Sequence, residues 1–230
     1  MYALGQTYSS AYTTLDQDIV VFKIDSSLSY IAPNGWGIVW GSTKYEEAKS
    51  IALDDAQSFL YVCGFTNSEG TISSAKFDMF ILKLSVTNGL ISWGKRLGGD
   101  ANDKANGIAY YNGFVYVVGE SDSTGWSLAG KTDMIYAKLD SSTAVTSYVK
   151  ALGGAAEDQA LIVQGWTDGY IYSLGNGYSV ELTYGTLDIF LVRLDQSGNL
   201  NYIYNFGGTN PDYAADMHLY GSNVLIMGYS

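Results

Sequence analysis

Short runs in which apolar residues fill both alternate sets of positions recur along the chain, each closed by Gly, Asn, Asp or Ser. The clearest is Asp133-Met134-Ile135-Tyr136-Ala137-Lys138-Leu139-Asp140. In an extended strand Met134 and Tyr136 point to one side, and Ile135, Ala137 and Leu139 to the other. The same pattern starts at Asp18 (DIVVFKID), Asp78 (DMFILKLS) and Asp188 (DIFLVRLD), at steps of 60, 55 and 55 residues. An acid opens each copy, a cation stands five residues on (Lys23, Lys83, Lys138, Arg193), and an aliphatic residue follows it. A period of this length denotes an array of like supersecondary units.

Each unit reads as four strands. In the third copy, 107–111 is a first strand, Asn112-Gly113 a hairpin turn, 114–119 a second strand, 133–139 a third and 146–152 a fourth. Second strands end at Gly5, Gly64, Gly119, Gly175 and Gly228; fourth strands run into Gly41-Ser42, Gly98-Gly99, Gly153-Gly154 and Gly207-Gly208. Strands apolar on both sides need cover on both sides, which neighbouring blades of a propeller provide and a two-layer sandwich does not. The pattern therefore predicts an all-β fold, a β-propeller of four-stranded antiparallel blades with about four repeats of 55–60 residues. The predicted units are a partial blade over 1–42, blades over 43–99, 100–154 and 155–208, and a partial blade over 209–230. Strand two opens the chain, and strands one and two close it. Met1 holds the repeat position of Leu60, Val115, Ile171 and Val224. The expectation is a segment of a larger propeller, with further blades of the same longer chain among its partners.

The run from Gly98-Gly99-Asp100 through Asn106-Gly107-Ile108-Ala109 and Val115-Tyr116-Val117-Val118-Gly119 to the strand at Asp133 resembles the β-propeller repeats of bacterial and protist surface proteins, often described as seven-bladed. The resemblance covers essentially the whole chain; the first copy departs from it, with Gly41-Ser42 in place of Gly-Gly. It implies a propeller within long secreted or surface-anchored polypeptides, hence an extracellular or cell-surface location, and it brings no catalytic residues.

Composition agrees. Twenty-seven Gly and 20 Tyr against two Pro suit many short strands joined by tight turns. The net charge of −11 argues against a nucleic-acid or anionic-membrane partner, and the apolar runs are too short to insert in a bilayer. Cys63, the single cysteine, lies in an apolar strand and reads as a small core residue.

Residues that recur in register read as scaffold. The four strand-opening Asp residues are expected to accept backbone N–H bonds, and the four cations to lay their stems over apolar surface and meet a carboxylate. Trp36, Trp93, Tyr148 and Tyr202 are in register and are expected to pack between blades. The aromatics that do not recur are the binding candidates: Tyr8, Tyr12, Trp126, Trp166, Tyr178 and Tyr184, assigned to a loop face suited to protein or glycan contact. Asp100, Asn102 and Asp103 form a weak calcium pattern that lacks the loop signature of dedicated calcium sites, so no cofactor is expected. His218, the sole histidine, has no nucleophile or metal-ligand cluster to work with. The reading is a non-catalytic structural or protein-interaction module. A glycan-binding propeller and an enzyme with an axial site near His218 are the alternatives.

Overall fold

A computed structural model describes residues 1–8, 17–25, 35–42, 44–68, 76–126, 131–179 and 186–230. They form two compact units, Met1–Ala105 and Asn106–Ser230. Among these residues every regular element is a strand, and no helix is long and apolar enough to cross a membrane.

The first sheet has the order β1 (Tyr2–Thr7), β2 (Asp18–Lys23), β3 (Trp36–Trp40). Three four-stranded meanders follow: β4 (Glu46–Leu53) to β7 (Ile91–Leu97) through β5 (Phe59–Thr66) and β6 (Asp78–Ser85); β8 (Asp103–Tyr111) to β11 (Thr146–Leu152) through β9 (Phe114–Ser121) and β10 (Asp133–Asp140); and β12 (Asp158–Gly165) to β15 (Leu200–Phe206) through β13 (Ile171–Gly177) and β14 (Asp188–Leu194). A pair, β16 (Tyr213–Tyr220) and β17 (Asn223–Tyr229), comes last. The fold is all-β, of the β-propeller type, built from four-stranded antiparallel blades. Asn112 and Gly113, at φ 50° and 83°, make the left-handed hairpin turn that their sequence predicts.

Within each unit successive sheets pack face on face. In unit one, Ile19 and Val21 of β2 meet Phe80, Leu82 and Leu84 of β6, with Trp36, Ile38 and Trp40 of β3 at the margin. In unit two, Met134 and Tyr136 of β10 meet Phe190, Val192 and Leu194 of β14. The other side of β14, Ile189 and Leu191, meets Met217 and Leu219 of β16. This is why β14 is apolar throughout: its two sides serve two different interfaces.

Two fasteners repeat between sheets. At one end, the strand-opening carboxylate lies against the first residue of the Gly-Gly turn. A Cβ added to Gly41, Gly98, Gly153 or Gly207 would stand 1.8, 2.0, 2.0 or 2.2 Å from Oδ1 of Asp18, Asp78, Asp133 or Asp188. The next turn residue donates its N–H to an acid at the start of the following strand: Ser42 to Glu46 (2.9 Å), Gly99 to Asp103 (2.8 Å), Gly154 to Asp158 (3.0 Å) and Gly208 to Asp212 (2.9 Å). The N–H of each of these acids in turn donates to the carbonyl just before the strand-opening Asp: Gln17, Phe77, Thr132 and Leu187. Ser42 thus does the same work as the glycines it replaces.

At the other end, the fourth-strand aromatic of one sheet seats on the third-to-fourth turn of the next. Trp36 Nε1 donates to the Val86 carbonyl at 2.9 Å, and the Tyr148 ring covers Gly198. Lys23 and Lys138 donate to the carbonyls of Val86 (3.2 Å) and Gln196 (2.9 Å). Lys83 and Lys138 also stand 3.8 and 3.9 Å from the ring centroids of Phe59 and Phe114. The cations were expected to meet a carboxylate; at Lys23 and Lys138 a backbone carbonyl takes that place. A buried ammonium is held by a ring face and a dipole without a second charge having to be desolvated.

Candidate functional site

At the end of unit two that carries the Gly-Gly turns, Glu120, Glu157 and Gln159, which do not recur, form a cleft together with the fastener residues Thr132, Asp158 and Leu187. Its volume is about 160 Å³, and its walls are Glu120, Thr132, Glu157, Asp158, Gln159, Asn176, Tyr178 and Leu187. β9 supplies Glu120 near its end, β12 supplies Asp158 and Gln159 at its start, and β13 supplies Asn176 near its end. All three meet at one end because β9, β12 and β13 all begin or finish there.

Asp158 is fixed by donors. The Gly154 N–H (3.0 Å) and Ser179 Oγ–H reach its Oδ2, and the Ser179 N–H reaches its Oδ1 at 3.3 Å. Asn176 accepts the Ala214 N–H at 2.8 Å. Tyr178 donates its backbone N–H to the Glu157 carbonyl at 2.9 Å and leaves its ring 43% exposed. Lys131 is the cation at the mouth, 3.4 Å from Glu157 Oε1, in a pair with both side chains largely exposed. Such a pair is weak and opens readily. The cleft is anionic, edged by one phenol ring and smaller than the roughly 300–1,000 Å³ of pockets that enclose a small-molecule ligand. Its volume is that of a single side chain, and Glu120, Glu157 and Asp158 give its wall three acids.

The corresponding end of unit one holds Glu46, which has no exposed surface. Thr66 Oγ–H (2.7 Å) and Ser68 Oγ–H donate to its Oε1 and the Ser42 N–H to its Oε2. Burial pushes its carboxyl up to about 7, with the Asp18 carboxyl alongside acting in the same direction against the lowering effect of Thr66 and Ser42. Tyr8, 69% exposed, donates its hydroxyl to Gln17 Oε1, and Gln17 Nε2 donates to the Glu46 carbonyl at 3.2 Å.

The sequence candidates separate accordingly. Tyr178 lines the cleft and Tyr8 stands exposed at the equivalent end of unit one. Trp126 is half-buried in a turn closed by its N–H on the Ser123 carbonyl at 3.1 Å. Trp166 sits in the β12–β13 turn, at the opposite end of its sheet from Tyr178, and packs on the core shared with β16. Tyr12 and Tyr184 lie outside the described residues. His218 is exposed on β16, opposite Leu225. Asn102 accepts the Phe77 N–H at 3.3 Å and Asp103 the Gly99 N–H at 2.8 Å, so both cap turns, as Asp158 and Asp212 do. Among the described residues no group of three or more His, Cys, Asp or Glu side chains is placed to hold a metal ion.

Glu120, Thr132, Asn176 and Leu187 are cleft residues that the sequence reading passed over. A signal existed for two of them: the residue after the second-strand glycine is Gln6, Phe65, Glu120, Asn176 or Tyr229, so this position varies where its neighbours repeat.

No family model matches the chain, and no curated protein matches it. Among solved structures, a glycoside hydrolase family 43 arabinoxylan arabinofuranohydrolase from Bacillus subtilis, in complex with cellotetraose, is similar over 93% of this chain at 12% identity with a TM-score of 0.41. This chain spans about half of that enzyme, 53% of its length. BamB from Moraxella catarrhalis is similar over 96% of this chain and 81% of its own, at 11% identity with a TM-score of 0.30. The reading of the chain as no enzyme is corrected here, since an enzyme stands among its structural likenesses. At these scores neither likeness transfers a substrate, a partner or a residue role to this chain.

Proposed function

We propose that the chain is a structural and protein-interaction module of an extracellular or cell-surface assembly, and that the Glu120–Glu157–Tyr178 cleft receives a basic side chain of a partner protein. The observation that carries this reading is the division of labour among residues. Acids and cations that recur are consumed in sheet-to-sheet fasteners, while Glu120 and Glu157, which do not recur, converge with Tyr178 and the fastener acid Asp158 on a 160 Å³ cleft. A net charge of −11 adds long-range attraction for a cationic partner.

The test is fluorescence polarisation against arrayed Lys- and Arg-rich peptides, with acidic peptides and a glycan array in parallel. Binding of basic peptides should weaken at high salt, and Glu157→Lys or Tyr178→Ala should each lower affinity about tenfold. Glycan binding that is lost in Trp126→Ala, without any peptide binding, would replace this reading with the glycan one.

A further inference from the structure

Tyr148, Lys150 and Leu152 of β11 pair with Lys138, Tyr136 and Met134 of β10, on the side that meets the following sheet. The corresponding residues of β3 are Trp36, Ile38 and Trp40, paired with Lys23, Val21 and Ile19 of β2. In unit one these three close the seam to the next sheet. Ile38 Cγ2 lies 3.1 Å from where a Cβ at Gly89 would stand, and the Trp40 ring packs on Phe80 with centroids 4.8 Å apart. In unit two the first aromatic is still seated, with the Tyr148 ring over Gly198. A lysine then takes the place of Ile38, and a leucine that of the larger Trp40. The seam stays open there as a groove of about 260 Å³.

Tyr136, Leu152, Leu194 and Leu200 give the groove its apolar walls, and Lys150 and Asn199 its polar end. Tyr136, Leu152 and Leu194 also belong to the core between these two sheets, so the groove continues that interface within unit two. The polar end is built in steps. Asp195 Oδ1 accepts the N–H groups of Ser197 (2.9 Å) and Asn199 (2.8 Å), and its Oδ2 accepts Asn199 Nδ2–H at 2.9 Å. The Asn199 amide is thereby turned so that its Oδ1 faces Lys150, whose Nζ donates to it at 2.8 Å. An ammonium carries three N–H donors, and this bond uses one of them on a neutral acceptor. Lys138 reaches the same turn, donating to the Gln196 carbonyl at 2.9 Å. Two ammonium groups against one carboxylate already taken by N–H donors make this end locally cationic, in a chain whose net charge is −11.

From this we infer that the groove is a binding site for a small carboxylate with an apolar body. The alkyl or aryl part lies against Leu152, Leu194 and Leu200, and the carboxylate accepts from the Lys150 ammonium. Leu200 is 48% exposed, so a ligand there removes aliphatic surface from water, while the charge-assisted bond selects the anion. The volume is just under the roughly 300–1,000 Å³ that encloses a drug-sized molecule, and it suits a smaller one. A neutral apolar molecule forgoes the bond to Lys150, and an amine meets a like charge. The groove lies at the opposite end of the sheets from the anionic cleft and takes a ligand of the opposite charge, so the two sites stand or fall separately.

The experiment titrates the 230-residue chain with hexanoate, and with 1-hexanol and hexylamine as controls, at constant ionic strength. The readout is the amide NMR signals of Gly198, Asn199 and Leu200. Hexanoate should shift them saturably with a Kd of about 1 mM or below, and hexanol and hexylamine should bind at least about tenfold more weakly. Lys150→Gln should lower hexanoate affinity about tenfold, to the level of hexanol, and Lys150→Arg should retain it. Leu152→Trp, which fills the groove as Trp40 does in unit one, should abolish the shifts. No saturable shift with hexanoate, equal affinity for hexanoate and hexanol in the parent, or unchanged hexanoate affinity in Lys150→Gln would each overturn the proposal. Lys150 is only partly buried, so Lys150→Gln decides the matter in a folded chain whatever Leu152→Trp does to stability.

Discussion

Gly207 and Gly208 are adjacent, identical and predicted to behave oppositely. A methyl group at Gly207 would stand 2.2 Å from Asp188 Oδ1 and 2.6 Å from its Cγ, where carbon and oxygen normally approach no closer than about 3.3 Å. Asp188 has no exposed surface and opens β14 between β13 and β15, so relief requires movement of backbone. Overpacking of this kind costs about 1–3 kcal/mol. Disturbing the 2.9 Å Gly208 N–H bond to Asp212 adds about 1 kcal/mol. A Cβ at Gly208 meets nothing within 4 Å, and Ser42 holds the same position in the first repeat. Gly207→Ala should therefore lower the thermal midpoint by about 5–10 °C and Gly208→Ala by no more than about 2 °C. Asp188→Ala combined with Gly207→Ala should fall short of the sum of the single effects by about 1–2 kcal/mol in denaturant unfolding, because removing the carboxylate makes room for the methyl. Equal midpoints for the two glycine variants, or strict additivity in the double variant, would refute the argument that the carboxylate is what excludes a side chain.

Two further expectations follow from burial. Glu46 is raised from 4.5 to about 7 in the folded chain, so the folded state keeps a proton that the unfolded state releases. Its stabilising effect is complete below about pH 4.5 and is lost as pH rises through about 7, which amounts to about 1–3 kcal/mol after screening. Glu46→Gln, which keeps the neutral shape, should match the parent near pH 5 and exceed it near pH 8; a difference in melting that is the same at both would remove the effect. Cys63 has no exposed surface, and burial pushes its thiol well above the usual range. It should resist a disulfide reagent in the folded chain and react at the rate of global unfolding, whereas rapid native labelling would show that β5 opens locally.

The sheets were legible because burial on both sides leaves a signature in every third strand, from Met79 to Leu84 as from Met134 to Leu139. The fasteners were half legible. Four Asp residues in register marked a structural role, but the sequence does not show that each lies against a glycine 19–23 residues further on, in the same sheet's last turn, nor that Glu46, Asp103, Asp158 and Asp212 belong to the same device. That pairing depends on which sheet follows which in space. The cleft was the least legible part. Tyr178 stood out as a loop ring shared only with Tyr8, yet Glu120 ends β9, Thr132 precedes β10 and Leu187 precedes β14, and only the third dimension brings them together. Trp166 shows the converse: it lacks counterparts, and it serves a hairpin and a core instead.

The fasteners have a consequence for how such a chain can change. Each links one repeat only to its successor, by the same chemistry at every step, so a junction does not register which copies it joins. An extra module of about 55 residues, carrying its acid, glycine turn and terminal aromatic, would find ready-made seats on both sides, and stability would grow by one junction at a time. Copy number is thereby left open to duplication and loss, while the residues of any single rim cleft are free to diverge.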